Sequence, residues 1–275
     1  MNIAVTGANG FIGSEVVSQL RLKYANISNF DQKKHNLLQP ETLKKLLEKK
    51  DAVIHLAGIN KDEDITNILR VNVLGTKGLL DAMVSYAPKA KLIFASSFQV
   101  YLKISPYGSS KKIAEELIED YTKRYGIESV IMRMTNVYGI GCRPFHNSAI
   151  ATFLYQINNN KPININGNGS QRRDYLHVTD AADAIIKSLS YRLKRISYLD
   201  ICTGKLTSLK EIIEILRESS HKNIDVSYNR KVKTEDWDFR KNYTKAKELL
   251  GWKPRISIRE GLRLLLNNEI TIEKN

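Results

Sequence analysis

The sequence predicts an α/β protein with a doubly wound parallel sheet, and two observations support this fold class. A short apolar segment at residues 2–5 leads directly into three closely spaced glycines, Gly7, Gly10 and Gly13. Apolar strand-like segments then alternate with amphipathic helix-like segments across the first half of the chain. This alternation is typical of parallel strands joined by crossover helices. With 275 residues, the chain is long enough to bury a full core.

The predicted elements follow one another along the chain. We expect strands at residues 3–6, 27–30, 52–56, 91–95 and 129–133. We expect helices between them at residues 11–22, 41–48, 65–86 and 107–125. Beyond them we expect a helix at 147–157 and a polar loop at 164–173, and returns to the sheet at 175–178 and 198–202. Short helices are expected at residues 209–217, 242–250 and 258–266.

The same pattern predicts a core domain and a small substrate-binding lobe. Residues 1–173 form the predicted core, and residues 174–202 return to its sheet. Residues 203–275 form most of the C-terminal lobe, which the segment 139–173 joins to the core. Ligands of doubly wound sheets bind beyond the carboxyl ends of the strands. We therefore expect the chemistry at the ends of the predicted strands.

Composition excludes several classes of protein. The net charge is +14, but the lysines are scattered, and no stripe of basic and aromatic side chains indicates nucleic-acid binding. No apolar run approaches the roughly 20 residues that span a bilayer, so no membrane partner is expected. Cys142 and Cys202 do not suggest a disulfide framework. Since the chain also enters a strand at once, without a signal peptide, we expect a cytoplasmic protein. No spacing of His, Cys, Asp or Glu suggests a metal site.

The three N-terminal glycines are typical of a Rossmann-type phosphate cradle. Gly7 allows a tight turn, Gly10 lets the backbone approach a pyrophosphate, and Gly13 lets the following helix pack closely on the strand. The first-turn N–H groups of that helix and its dipole favour an anion. The position between a strand and an amphipathic helix favours dinucleotide binding over a plain glycine turn.

The residue at the end of the second strand bears on the choice of dinucleotide. Asp31 lies roughly twenty residues beyond the cradle, where a carboxylate accepts hydrogen bonds from a ribose 2′-hydroxyl and repels a 2′-phosphate. This predicts NAD. Lys33 and Lys34 follow directly and could neutralise a 2′-phosphate, so NADP stays open.

A candidate catalytic group follows the fourth strand. Ser97 ends that strand, and Tyr107 and Lys111 share one face of the next helix, four residues apart. We expect the lysine ammonium, together with an oxidised nicotinamide, to lower the pKa of the tyrosine, which could then move a proton on or off a sugar oxygen. Ser97 would hold the same oxygen. Tyr243 and Lys247 repeat the spacing, but no serine-bearing strand precedes them, so they are expected on a solvated helix face.

These motifs together resemble an extended short-chain dehydrogenase/reductase of the NAD-dependent epimerase/dehydratase family, which acts on nucleotide sugars. The resemblance covers nearly the whole chain. Besides the cradle and the Ser97, Tyr107 and Lys111 group, it rests on HLAG at 55–58, NVLGT at 72–76, RMTNVYG at 133–139, GNGSQRRDY at 167–175 and LGWKP at 250–254.

The resemblance implies a set of binding residues and a homodimer formed by the helices at 65–86 and 107–125. The implied cofactor-binding residues are Gly7, Gly10, Phe11, Ile12, Gly13, Asp31, Asn36, Leu37, Leu56, Ala57, Gly58, Asn72, Tyr107, Lys111 and Thr135. The implied substrate-binding residues are Ser97, Asn136, Asn147 and Arg173. Asn36 and Leu37 stand where the family often has an Asp that meets the adenine amine. His177 is expected to be structural, and His146 is open between a site and a surface role.

Departures from the family patterns bear on the reaction. Family dehydratases carry an Asp-Glu pair where this chain has Phe98 and Gln99, so a 4,6-dehydratase is not expected. Fucose-synthase-like enzymes use a Cys and a His where this chain has Phe98 and Ala149. The short connection from Ser97 to Tyr107 and the segment 142–153 resemble reductases of a UDP-4-keto-6-deoxy-hexosamine. Segments 169–175 and 251–254 look more like 4-epimerases.

A nucleotide-sugar 4-ketoreductase is therefore the leading hypothesis, slightly ahead of a 4-epimerase. A dinucleotide-binding sensor without catalysis is a remote alternative, because such relatives typically lose the tyrosine or the lysine.

Overall fold

A computed structural model describes residues 1–102, 105–146, 148–191, 195–220, 222–232 and 239–267. The chain divides into two compact units. The first unit contains Met1–Met134, Ala181–Ile201 and Thr244–Trp252. The second contains Thr135–Asp180, Cys202–Tyr243 and Lys253–Asn275.

The first unit is built on a six-stranded parallel sheet, which confirms the predicted α/β fold class. The spatial order of the strands is β10-β5-β4-β3-β1-β2. Their bounds are β1 (Asn2–Thr6), β2 (Asn26–Asn29), β3 (Ala52–His55), β4 (Lys91–Ser97), β5 (Ser129–Met134) and β10 (Ile196–Ile201). Each predicted strand of the first half of the chain is present, and 198–202 returns to the sheet as expected, beside β5.

The burial of the strands follows their place in the sheet. β1 and β3 lie in its interior and are buried along almost their whole length, as strands covered on both faces are. β2 lies at one edge and is partly exposed. Its polar side chains at Asn26, Ser28 and Asn29 suit an edge that faces water.

The helices of the first unit largely follow the prediction. They are α1 (Phe11–Arg21), α2 (Lys44–Leu47), α3 (Ile65–Leu69), α4 (Gly75–Tyr86), α5 (Gln99–Leu102), α6 (Pro106–Tyr125), most of α8 (Val178–Ser190) and α10 (Thr244–Leu250). The predicted helix at 41–48 begins instead as a 3₁₀ turn at Pro40–Leu43. Side chains of α4 and α6 pack on the sheet in one core, with Leu79, Met83, Phe94 and Ile118 among its fully buried members.

The predicted helix at 65–86 is divided into three parts. α3 and α4 are separated by a π-helical turn at Arg70–Leu74. π turns within helices are frequently found at functional sites. This one carries Asn72, which is 1% exposed. Apolar periodicity did not reveal the turn, because the stripe of apolar side chains continues through it.

In the part of the second unit that the structure describes, there are three two-stranded ladders and three helices of its own. β6 (Asn136–Tyr138) pairs with β9 (Tyr175–His177), β7 (Ile163–Asn166) with β12 (Val226–Asn229), and β8 (Arg172–Arg173) with β11 (Thr207–Ser208). The helices are α7 (Ala149–Asn158), α9 (Leu209–Ser220) and α11 (Ile258–Asn267). Apolar side chains of these elements form a second core, separate from that of the first unit.

Two expectations for this region were wrong. Segment 175–178 does not return to the large sheet, because β9 pairs with β6 in a ladder of its own. The predicted polar loop at 164–173 contains most of β7 and all of β8. In β7 the buried Ile163 and Ile165 alternate with exposed asparagines, a period-two pattern that the polar composition concealed.

The division into units also differs from the predicted domain bounds. The chain leaves the first unit after Met134 rather than after residue 173, because β6 no longer pairs with the large sheet. Residues Thr244–Trp252, expected in the lobe, belong to the first unit, where α10 packs against β10.

A lysine caps the last turn of α8. Nζ of Lys91 donates to the carbonyl oxygens of Ser188 at 3.3 Å, Leu189 at 3.0 Å and Tyr191. The last carbonyls of a helix have no partner within the helix, and a cation there also interacts favourably with the helix dipole. Lys91 thereby ties α8 to the start of β4.

Replacing this lysine tests the cap. Lys91→Met leaves three carbonyls without their charged donor, so we expect the free energy of unfolding to fall by about 1–3 kcal/mol. Urea denaturation monitored by circular dichroism measures the change. Lys89→Met, at a nearby exposed position, is the matched control. Equal stability of the two variants would contradict a stabilising cap.

Candidate active site

The turn between β1 and α1 has the shape of a phosphate cradle. Gly7 adopts a φ of +70°, and a Cβ on it would lie 2.6 Å from the Ala57 nitrogen. A Cβ on Gly13 would lie 1.9 Å from the Gly7 carbonyl oxygen. Gly10 is the N-cap of α1 and offers no side chain to the first-turn N–H groups. These N–H groups and the open backbone fit the pyrophosphate of a dinucleotide, and Phe11 and Ile12 are the first residues of that turn.

Asp31 follows β2 at the same end of the sheet. One carboxylate oxygen accepts from the Lys33 N–H at 3.0 Å, and the other lies 3.9 Å from Nζ of Lys34. The Asp31 N–H donates to Nδ1 of His35 at 2.9 Å. The carboxylate is thus held in place at a position suited to a ribose, with a lysine beside it.

Asn36 is engaged within its own turn. Its side-chain oxygen accepts from the Leu38 N–H at 2.9 Å, and its N–H donates to the Thr42 hydroxyl at 2.8 Å. The carbonyl of Leu37 lies where a Cβ on Gly78 would approach it to 1.8 Å. This loop therefore packs directly on α4.

The segment after β3 converges with Asn72 and Lys111. Leu56 and Ala57 continue β3 beside Thr6, with the Leu56 N–H 3.1 Å from the Thr6 carbonyl oxygen. A Cβ on Gly58 would lie 3.0 Å from Oδ1 of Asn72 and 3.3 Å from Nζ of Lys111. Asn72 also holds the loop by hydrogen bonds with Ile59 in both directions, each of 2.8 Å.

The structure brings the three predicted catalytic side chains together. Ser97 ends β4, and its side chain lies near enough to the Tyr107 hydroxyl to lower the pKa of that group. Lys111 lies one turn further along α6, 4% exposed, and its Nζ donates to the Ala95 carbonyl at 2.9 Å. Nζ also lies 4.6 Å from the centre of the Phe94 ring.

Local sequence explains how α6 presents these side chains. Ser105 is the N-cap, and its hydroxyl accepts from the Gly108 N–H at 3.0 Å. Pro106 occupies the first helical position, where its missing N–H is not needed. Gly126 ends the helix in the left-handed conformation with a φ of +73°, a common helix end. Tyr107 therefore lies in the first turn of a well-defined 20-residue helix.

Burial sets the charge states of these groups. It raises the pKa of Tyr107 to about 12, against the opposite effect of the hydrogen bond with Ser97. It lowers the pKa of Lys111 to about 8, and the nearby Glu115 carboxylate acts in the opposite direction. In the protein without a cofactor, desolvation of the phenolate outweighs the effect of Ser97 and raises the pKa of Tyr107. The lowering expected with an oxidised nicotinamide bound stays a prediction.

The sequence analysis missed the side chains that hold α6 on the sheet. Glu115 is 0% exposed. It accepts from the Ser96 hydroxyl at 2.6 Å and from Arg133 at 2.9 Å and 2.6 Å. The guanidinium of Arg133 lies between the rings of Tyr101 and Tyr198, 4.7 Å from each ring centre. The spacing of Tyr107, Lys111 and Glu115, four residues apart on one helix face, was the available signal.

Thr135 and Asn136 belong to the second unit, where both contact Asp174. The carbonyl oxygen of Asp174 accepts from the Thr135 hydroxyl at 2.8 Å and from Nδ2 of Asn136 at 3.1 Å. Its carboxylate accepts from the N–H groups of Thr203 at 3.0 Å and Gly204 at 2.7 Å. Asp174, which the sequence analysis did not single out, thus holds together the segments that carry these residues.

Other predicted positions are located as follows. Arg173 is partly buried in β8, and its guanidinium donates to the Arg172 carbonyl at 2.7 Å. Asn147 lies outside the described residues. His177 is buried and packs edge-on against Tyr138, with ring centres 5.3 Å apart, whereas His146 is exposed.

Neither a metal centre nor a membrane span is found in the described part of the chain. Among those residues, no three His, Cys, Asp or Glu side chains come close enough to hold a metal ion. Within the same ranges, no helix has the length and apolarity needed to cross a bilayer. Lys247 of the second Tyr-x-x-x-Lys pair is exposed on α10, and Tyr243 precedes that helix.

The buried ion pair gives a stability prediction. Arg133→Met leaves the Glu115 carboxylate buried without a cation, so we expect a loss of about 3–5 kcal/mol in the free energy of unfolding. Adding Glu115→Gln to Arg133→Met removes the unpaired charge, and the double variant should recover part of the loss. Urea denaturation at neutral pH measures both. A double variant less stable than Arg133→Met would contradict the assignment of the loss to an unpaired carboxylate.

Comparisons with known proteins agree with this geometry. A family model, the NAD dependent epimerase/dehydratase family, matches residues 3–202. A UDP-glucuronate 4-epimerase from Thermodesulfobacterium geofontis is 35% identical over 237 residues, covering 78% of this chain and 71% of that protein. A UDP-2-acetamido-2,6-beta-L-arabino-hexul-4-ose reductase from Pseudomonas aeruginosa is 30% identical over 219 residues, covering 79% of this chain and 57% of that protein.

A solved structure of a similar protein matches this chain over almost its whole length. A mutant UDP-glucuronic acid 4-epimerase from Bacillus cereus, in complex with UDP-4-deoxy-4-fluoro-glucuronic acid and NAD, has a TM-score of 0.85 at 26% identity. The match covers 97% of this chain and 98% of that chain. Because the family model spans more than half of the sequence, and the relatives share its fold, the chain belongs to the NAD dependent epimerase/dehydratase family.

Proposed function

We propose that the protein is an NAD(P)-dependent oxidoreductase that reduces the C4 keto group of a nucleotide-linked 4-keto-6-deoxy-hexose. The observation that carries the proposal is the placement of the Ser97 side chain near enough to Tyr107 to act on its pKa, with buried Lys111 one turn away. In this reaction the reduced dinucleotide supplies the hydride to C4. Tyr107 donates the proton to the C4 oxygen, and Ser97 holds that oxygen by its hydroxyl.

The charge state of Tyr107 suits a proton donor. A tyrosine with a pKa of about 12 is protonated at neutral pH, and this is the form that donates a proton to a developing alkoxide. The ammonium of Lys111 stabilises the phenolate that Tyr107 becomes after donation.

The connection between β4 and α6 supports a reductase over a dehydratase. α5 begins two residues after Ser97, and the Gln99 side chain accepts a hydrogen bond from the Ser105 hydroxyl at the start of α6. Phe98 is 6% exposed. Neither residue supplies the acid or base that a dehydratase needs at these positions. The Pseudomonas aeruginosa reductase shares 30% identity over the region that contains this connection.

NAD is the proposed dinucleotide. The Asp31 carboxylate, held by the Lys33 N–H, suits a ribose 2′-hydroxyl and repels a 2′-phosphate. The Bacillus cereus epimerase binds NAD. Lys34, 3.9 Å from Asp31, is the feature that keeps NADP open.

The second unit is proposed to hold the nucleotide sugar. Asn136 is exposed, and the Asp174 carbonyl oxygen fixes its amide group. Arg173 lies in β8, which pairs with β11. Its planar guanidinium suits a diphosphate because it can donate two parallel hydrogen bonds. Asn147 is proposed for the same role on the resemblance alone. We expect a soluble cytoplasmic enzyme.

A 4-epimerase is the second candidate. It is favoured by the names of the Thermodesulfobacterium geofontis and Bacillus cereus relatives, which are both 4-epimerases. Tyr107 would take the C4 hydroxyl proton while the dinucleotide accepted hydride from C4, and would return the proton to the C4 oxygen when the hydride was added back to the opposite face of C4. The same three side chains serve both reactions, so the direction of net turnover distinguishes them.

A cofactor-consumption assay tests the proposal. Purified protein is mixed with NADH or NADPH and a panel of nucleotide-linked 4-keto-6-deoxy sugars, and the absorbance of the reduced nicotinamide is followed. Stoichiometric loss with one sugar supports the reductase and identifies its cofactor. No loss with any sugar, together with NAD that stays bound through purification, would instead support the epimerase, and UDP-hexoses would be tested next.

The tyrosine hydroxyl is the first group to remove. We expect Tyr107→Phe to lower kcat by about 10²–10⁴-fold, because general acid catalysis is lost while the ring is retained. Tyr125→Phe, on the same helix and 51% exposed, is the matched control. A Tyr107→Phe protein that kept full biological activity would favour the sensor hypothesis.

The pKa of Lys111 predicts a pH dependence. Its pKa is lowered to about 8, so the ammonium is lost as the pH rises above that value, and kcat/KM should fall about tenfold per pH unit there. A pH–rate profile from pH 6 to pH 10 measures this alkaline limb. In Lys111→Arg the guanidinium stays charged, so the limb should disappear. A limb that persists in that variant belongs to another group.

A homodimer through the helices at 65–86 and 107–125 is also proposed. Four large aliphatic side chains on these helices are between 39% and 53% exposed: Ile65, Leu69, Leu74 and Ile113. We expect Ile113→Glu to give a monomer in sedimentation velocity, because a carboxylate would be buried against the partner. Leu22→Glu, at a position 85% exposed after α1, should leave the dimer intact. A monomeric unsubstituted protein would contradict the assembly.

A further inference from the structure

His55 ends β3 and is completely buried, yet the proposed reaction does not use it. Its ring lies between two buried threonines. Nδ1 is 2.6 Å from the Thr6 hydroxyl oxygen, and Nε2 is 3.0 Å from the Thr76 hydroxyl oxygen. Thr6 is the residue before Gly7 of the cradle, and Thr76 lies at the start of α4. The imidazole therefore joins the strand that carries the cradle to the helix behind it.

The hydrogen bonds around His55 are consistent with one tautomer. The Thr76 hydroxyl donates to the Asn72 carbonyl at 2.7 Å, so its oxygen accepts from His55. Nε2 then carries the proton, and Nδ1 accepts from the Thr6 hydroxyl. The Thr6 oxygen in turn accepts from the Ala57 N–H at 3.3 Å. A neutral ring with the proton on Nε2 satisfies all of these contacts.

The surroundings of His55 keep the ring neutral. Burial and the positive charge of Lys111 lower its pKa to about 3. The Phe94 ring, 5.6 Å away between centres, covers one side of the imidazole. His55 therefore works as a fixed hydrogen-bonding group and does not exchange protons near neutral pH.

The hydrogen-bond chain continues from Asn72 to the catalytic helix. Nδ2 of Asn72 donates to the Ser110 hydroxyl at 2.9 Å, and that hydroxyl donates to the Tyr107 carbonyl at 2.8 Å. The π turn places the Asn72 side chain between α6 and the loop after β3. All five side chains that form the chain are fully buried or nearly so: Thr6, His55, Thr76, Asn72 and Ser110.

We propose that His55 is a positioning residue that keeps the glycine cradle in register with the helix that carries Tyr107 and Lys111. The inference rests on the proposed dinucleotide site, because it concerns how the two ends of that site are held together. Thr6 adjoins the proposed pyrophosphate cradle, and Ser110 adjoins the proposed nicotinamide end. A misplacement of about 1 Å between reacting groups can lower a rate about a hundredfold.

Paired threonine substitutions test the connection. Thr6→Val and Thr76→Val each remove one hydroxyl while keeping the branched shape, and Thr76→Ser keeps the hydroxyl as the matched control. The measurements are the dissociation constant for NADH, from its fluorescence, and kcat/KM, at a temperature where circular dichroism shows each variant folded.

Thr6 and Thr76 lie in series on one chain of hydrogen bonds. Removing either hydroxyl therefore breaks the same connection between the cradle and α6. We expect each valine variant to weaken NADH binding and lower kcat/KM by about tenfold, and the double variant to show about the same loss. Thr76→Ser should retain most of the NADH affinity and the kcat/KM that Thr76→Val loses. Two results would overturn the proposal. One is a double variant whose fold-losses in NADH affinity and kcat/KM equal the product of those of the single variants. The other is a pair of valine variants whose values stay within about twofold of those of the unsubstituted protein.

Imidazole nitrogen NMR tests the tautomer in the unsubstituted protein and does not depend on any variant folding. We expect the two-bond ¹H–¹⁵N pattern of a neutral ring protonated on Nε2, unchanged from about pH 5.5 to about pH 9. Titration of His55 within this range, or a proton on Nδ1, would overturn the proposal. NADH binding with the expected tautomer but no sugar turnover would contradict the proposed reaction and leave the His55 role standing.

Discussion

The position of the catalytic helix depends on Glu115, a carboxylate with no exposed surface. A buried charge strongly destabilises a fold unless a cation and hydrogen-bond donors replace water around it. Arg133 of β5 and the Ser96 hydroxyl of β4 are those partners. They fix both the rotation of α6 and its position along the sheet. Tyr107 and Lys111, two turns and one turn earlier on the same face, are thereby placed at the carboxyl end of β4.

The same low-polarity environment shapes the chemistry of the site. Burial raises the pKa of Tyr107 and lowers that of Lys111, so it favours the neutral form of each group. The proton of Tyr107 then leaves only when negative charge develops on an oxygen that Tyr107 contacts. Glu115 lies close enough to Lys111 to oppose its loss of charge, while Arg133 neutralises most of the carboxylate.

Local patterns in the sequence were sufficient for the sheet and for the grouping of Ser97, Tyr107 and Lys111, because strand ends and helix periodicity determine both. They failed for β9, since a strand of three residues has no period that shows which ladder it joins. They failed for Glu115, because a charged residue on a long helix is usually solvated. They did not reveal that burial raises the pKa of Tyr107 in the protein without a cofactor, because proximity to a lysine is visible in the sequence and desolvation is not.

Neither compact unit is a continuous stretch of the chain, which crosses between them after Met134, Asp180, Ile201, Tyr243 and Trp252. During synthesis the first five strands of the large sheet leave the ribosome well before Ile196–Ile201. Until that strand arrives, the edge of β5 is unpaired, and such edges pair readily with other chains. Folding in the cell is therefore exposed to aggregation for as long as translation takes to supply the sixth strand.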